Sequence, residues 1–194
     1  MESLVINPTA TAQWQALVME AQAAAGCRLD EDMESYLVFL LMRFAGEPGA
    51  VKRILALDYL RAMDQAGRIR QEGLREVGDV CLIHAGLFPL QAQRRRVAIS
   101  YFVDLGRSAY WQLAGYLQGG SSGVYAHLAH DFVRLMDILQ IMRTMSGQPF
   151  PLGLTHAYEL WNDTGSTRAY AELSAATDAL PVKVARHDKS TPSH

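Results

Sequence analysis

Wound as a helix, the segment MESYLVFLLMRFAG, residues 33–46, is apolar around most of its girth. Its longest apolar run, Tyr36 to Met42, is far shorter than the roughly 20 residues a helix needs to cross a bilayer. Such a helix must be surrounded, so it is expected in the middle of a bundle. The rest of the chain supplies the neighbours. Helical periodicity runs almost throughout, punctuated by Gly and Pro, and alternating strand patterns are nearly absent.

The stop and start signals divide the chain as follows. Pro8 with Thr9 or Thr11 opens a first helix, TAQWQALVMEAQAAAG, that Gly26 ends. Asp30 or Asp32 caps the apolar helix, with acids crowding its first turn as the macrodipole favours. A third helix runs AVKRILALDYLRAMDQAG after Pro48, and a fourth RIRQEGLREVGDVCLIHAG. A long fifth is expected from Pro89 to Leu117, followed by QGGSSG as the clearest loop. A continuous sixth spans GVYAHLAHDFVRLMDILQIMRTM, a seventh LTHAYELWND and a last one RAYAELSAATDAL. The expected fold is all-α, a single-domain bundle of seven to eight helices with short connections. Residues 1–180 make up that domain, and 181–194, without apolar periodicity, a mobile tail.

The corner GDVCLIHAGLFPLQAQRRR looks at first like a site. On helical spacing, however, Cys81 joins the apolar stripe of Leu74, Val77 and Ala85 and reads as a small core hydrophobe. His84 falls in the last turn, where its N–H could complement free carbonyls, and Gly86 is placed to be the left-handed cap before Pro89 restarts the chain. Arg94, Arg95 and Arg96 point about 100° apart on a helix and cannot converge on one partner. With a formal net charge of −2, nucleic acid is not the expected partner.

In HLAHDF, residues His127, His130 and Asp131 could ligate a metal, and His-Asp adjacency occurs in HD-type phosphohydrolases. Two residues inside a long amphipathic helix do not make that resemblance, and a polar flank with i, i+4 pairing is the plainer reading. Di-iron, HExxH, P-loop and nucleophile-elbow motifs are all missing, and no cofactor is expected.

VAISYFVDLGRSAYWQLAGYL, in the fifth helix, sets Asp104 and Arg107 among aromatic and aliphatic residues. At i, i+3 the two can pair, and their apolar neighbours imply that at least one is partly buried. Tyr101, Asp104, Ser108 and Trp111 form a polar-aromatic row, and Arg75 and Asp79 on the fourth helix offer a comparable pair. These residues either fix the bundle's register as an ion-pair network or line a ligand pocket between the fourth, fifth and sixth helices.

The leading functional expectation is a non-enzymatic cytoplasmic module that acts by protein–protein interaction as a homodimer, with no membrane contact. Its natural surfaces are the apolar second helix and the Trp/Tyr-rich fifth. Two cysteines without a disulfide framework suit a reducing cytosol. A ligand-binding or metal-dependent enzyme is the alternative. A nucleic-acid regulator using the three arginines comes third.

Overall fold

The computed structural model describes residues 9–46, 55–90, 97–148, 152–177 and 181–183. Among them are nine helices and no strand: α1 (Ala10–Ala24), α2 (Glu31–Gly46), α3 (Leu55–Asp64), α4 (Gly67–Leu87), α5 (Ile99–Tyr116), α6 (Gly120–His130), α7 (Phe132–Met145), α8 (Leu154–Thr164) and α9 (Thr167–Ala176).

Several boundaries follow from local chemistry. The Thr9 hydroxyl accepts the Ala12 N–H and starts α1, and the turn after α1 passes through Gly26 at φ 62°. Asp30 accepts the Met33 N–H at 2.8 Å and starts α2. Gly165 closes α8 in the left-handed conformation, and Ser166 caps α9 through the Ala169 N–H.

The count exceeds the expected seven to eight because the sixth helix is not continuous. It bends at Asp131 (φ −91°, ψ 12°) into α6 and α7. The Asp131 carboxylate is drawn to its own neighbours, His130 Nδ1 at 2.9 Å and Arg134 Nη1 at 3.1 Å, the sort of local bonding by which Asp competes with helical geometry. The expected QGGSSG loop contracts to a turn at Gly119, since α6 already begins at Gly120. The described part of the fifth helix begins at Ile99, and Arg94, Arg95 and Arg96 lie outside the described residues.

The middle of the bundle belongs to α4, not to α2 as expected. All ten residues from Val77 to Gly86 are buried, whereas Phe39 on α2 is 63% exposed. Packing at two glycines explains this. A Cβ on Gly78 would lie inside the contact surface of the Tyr110 ring, and one on Gly86 would sit 2.5 Å from the Leu139 Cβ. Without those side chains, α5 and α7 can approach α4 closely. Gly86 is therefore a packing residue inside α4, not the left-handed cap. His84 is fully buried and stacks on Phe102, with ring centroids 5.2 Å apart, so it does not serve the last turn from outside. Cys81 does join the core, where burial pushes its thiol pKa up. At the other end of the chain, residues 181–183 lie on α8: Tyr158 donates to the Val182 carbonyl at 2.8 Å and Lys183 sits over Trp161.

Candidate functional site

The most concentrated polar chemistry surrounds Asp79. On α4 this residue falls between Val77 and Val80 on the buried side, and only 1% of its surface is exposed. Tyr36 on α2 and Tyr110 on α5 both donate their hydroxyls to Oδ1, at 2.5 and 2.6 Å. Arg43, two turns along α2 from Tyr36, reaches Oδ2 at 2.7 Å and also approaches Glu76 at 3.4 Å. Tyr125 on α6 closes the group, with its ring centroid 5.9 Å from those of both other tyrosines. One carboxylate thus ties α2, α4 and α5 together, with α6 packed against the cluster.

Burial raises the Asp79 pKa, opposed by the Arg43 charge and by the donated hydrogen bonds. Burial, reinforced by the Asp79 charge, pushes Tyr36 and Tyr110 well above their ordinary value. The tyrosines hold their protons tightly and the carboxylate's oxygens are engaged, which makes the group better at holding helices than at moving protons. A recess of about 240 Å³ beside it is bordered by Tyr36, Phe39, Arg43 and Arg75.

The expected candidates are not gathered at one place. Arg75 lies on the exposed side of α4, and Asp79 pairs with Arg43 in its stead. Tyr101, Asp104, Arg107 and Trp111 form the outer face of α5, with Trp111 64% exposed. Neither Asp104 nor Arg107 is buried, and among the described residues they form no ion pair with each other. The helix turns Phe102, Gly106, Ala109, Tyr110 and Leu113 inward, which leaves the polar row in water. Arg107 donates Nε to the Ala129 carbonyl at 3.1 Å, clasping α6.

His127 and His130 are exposed. His127 lies 3.7 Å from Asp30 and His130 bonds Asp131, at a helix junction rather than mid-helix as expected. Among the described residues no three His, Cys, Asp or Glu side chains are placed to share a metal ion.

Two of the surface grooves are large. The larger, about 910 Å³, has a mixed lining and brings together Arg107, His130 and Asp131 with Arg134, Asp137 and Arg168. The ends of α1, α6, α7 and α8 and the start of α9 also border it. Its charges are engaged internally: Arg134 with Asp131, Arg168 with Glu172 at 2.5 Å. Asp137 is buried and accepts from the N-terminus of α9. It takes the Ser166 hydroxyl at 2.5 Å, the Thr167 N–H and hydroxyl at 2.9 and 3.0 Å, and the Arg168 N–H at 3.1 Å.

The second groove, about 640 Å³, is apolar. Trp14 and Leu17 of α1, Leu41 of α2, Leu87 and Phe88 at the end of α4, and Met142 of α7 line it. Among the described residues, Glu20 and Arg143 are the charged ones lining it, and Met145 borders both grooves.

Tyr36 and Tyr110 went unrecognised in the sequence because each looks like part of an apolar stripe, and Arg43 because nothing local ties it to an acid on another helix. The available signal was Asp79 itself, an acid within the buried stripe of α4 that had to find donors somewhere. Protein-family models, curated proteins and solved structures show no match to this chain.

Proposed function

We propose that the protein works as an interaction module, binding another polypeptide through the apolar groove between α1, the end of α4 and α7. The observation that carries this reading is the groove itself. Leu17, Phe88, Leu90 and Met145 stand exposed around it, with Glu20 and Arg143 the charges along its lining among the described residues. Contiguous apolar surface of this kind marks a site of contact, whereas scattered exposed side chains do not. Phe39 and Trp111, on the two helices expected to carry the interface, are exposed but do not line this groove.

The chemistry-bearing groups support the same reading. The Asp79 cluster and the charges of the larger groove hold helices together, and neither offers an idle acid–base pair. The compartment in this reading is the cytoplasm, in keeping with two cysteines that are both free. No helix among the described residues is long and apolar enough to cross a membrane.

A photo-crosslinking amino acid at position 17 or 88, in protein made by its native cells, tests the proposal. Polypeptide adducts at both positions, and none at an exposed control such as Arg61, are the expected result. Equal labelling at all three positions, or none at any, overturns it.

A further inference from the structure

We infer that the larger groove binds a small organic anion, whose phosphate or carboxylate group is held by Arg107, Arg134 and Arg168. The site is separate from the apolar groove and does not depend on what occupies it. Its volume of about 910 Å³ lies at the upper end of the range for small-molecule sites. The bend at Asp131 builds one wall. There Arg107 of α5 is pinned by Nε to the Ala129 carbonyl at 3.1 Å, and Arg134 of α7 by Nη1 to the Asp131 carboxylate at 3.1 Å. Two guanidinium groups from different helices are thus anchored within two residues of each other. Arg168, from the start of α9, lines the same cavity. Lys183 adds a cation at the rim: its Nζ lies 3.6 Å from where a Cβ on Gly165 would stand, and Gly165 lines the groove.

These groups keep donors for a ligand. A guanidinium has five N–H donors in a planar fork that matches phosphate and carboxylate oxygens. Among the described residues, Arg107 spends Nε on a neutral carbonyl and meets no carboxylate, and Lys183 sits over the Trp161 ring rather than against an acid. Asp137 is an acid of the lining, yet its oxygens are taken by hydroxyls and backbone N–H groups from Ser166 to Arg168, not by a guanidinium. Cys27, in the groove wall, registers the balance. Burial raises its thiol pKa, and of the charges acting on it the Arg134 guanidinium, which lowers it, comes ahead of Asp137 and of Asp131. Val133, Ile141 and Ala171 of the lining offer apolar surface to the ligand's carbon body.

Titration calorimetry and amide-shift mapping on the full chain test the inference. The probes are inorganic pyrophosphate and citrate, with sodium chloride at matched ionic strength as the blank. At least one probe should bind saturably, one per chain, and shift amides within 24–27, 129–134 and 164–168. A preference for pyrophosphate assigns a phosphate ligand, and a preference for citrate a carboxylate. Arg107→Gln should weaken binding about tenfold, the loss of one charge-assisted hydrogen bond, and Lys183→Gln by less. Arg61→Gln, on α3 outside the groove, should bind as wild type. Circular dichroism follows the fold, and should Arg107→Gln unfold, Lys183→Gln decides. No response beyond that of chloride, shifts confined to other parts of the chain, or groove variants that bind as wild type overturns the inference. Arginines that serve only to brace the bend give the first of these results.

Discussion

Asp79 and Asp137 are both carboxylates removed from water, 1% and 5% exposed, and both have their pKa raised by burial. The resemblance stops at their partners. Asp79 is held by side chains, two phenols and a guanidinium from helices far away in sequence. Asp137 is held by one helix end, through two backbone N–H groups and two hydroxyls from Ser166 to Arg168. The first arrangement closes the centre of the bundle. The second latches α9 alone onto α7, by the affinity of a helix N-terminus for negative charge. A buried acid can thus act as a global clasp or a local cap, and its donors decide which.

The sharpest way to break the comparison is Asp79→Ala. It strands the buried Tyr110 hydroxyl and leaves the partly exposed Arg43 only Glu76 among the described residues, and should cost about 3 kcal/mol of unfolding free energy in urea titration. Asp137→Ala removes the acceptor of neutral donors only and should cost about 1–3 kcal/mol. Its signature is local: amide exchange should accelerate within Thr167–Ala176 while α4 stays protected. If both variants open the whole bundle equally, the distinction between clasp and cap fails.

Within the clasp, Tyr110→Phe should cost about 1.5–3 kcal/mol, the range for a hydrogen bond to a charged group. Tyr36→Phe should cost less, because Tyr36 borders the recess beside Asp79, where water can replace its hydroxyl. The reverse order would mean that the recess is closed in solution.

The smallest effect is on pH dependence. A carboxyl whose folded pKa lies above the unfolded value of 3.8 is protonated first in the folded chain. Its contribution to stability is fully present below pH 3.8 and is lost as pH rises through the folded pKa. Asp79→Asn should therefore flatten the dependence of the urea midpoint on pH in that window. Asp137→Asn should do the same to a lesser degree. Unchanged profiles in both would show that the donors fully compensate burial.

Much of the helical layout could be read locally, because caps and breaks are short-range events. Asp30, Gly26 and Ser166 act within a few residues of themselves, and stripe positions such as Leu128, Phe132, Leu135 and Leu139 do turn inward. The bend at Asp131 escaped notice because apolar spacing continues through it. The partners of Asp79 were hidden for another reason. They lie 43, 36 and 31 residues away, and only the packed arrangement of α2, α4 and α5 says which donors meet the acid. Asp104 and Arg107 misled in the opposite direction: apolar neighbours in sequence suggested burial, while the inward face of α5 had already been claimed by Gly106 and Tyr110.

Gly78 precedes Asp79, and the vacancy left by its missing side chain is where the Tyr110 ring sits. Fit and charge are therefore not separable at this pair of residues. Adding one methyl group at position 78 would push the phenol away from the carboxylate it serves. A purely steric change would then emerge as an altered titration of the neighbouring acid, and a void in α4 is part of the protein's wiring.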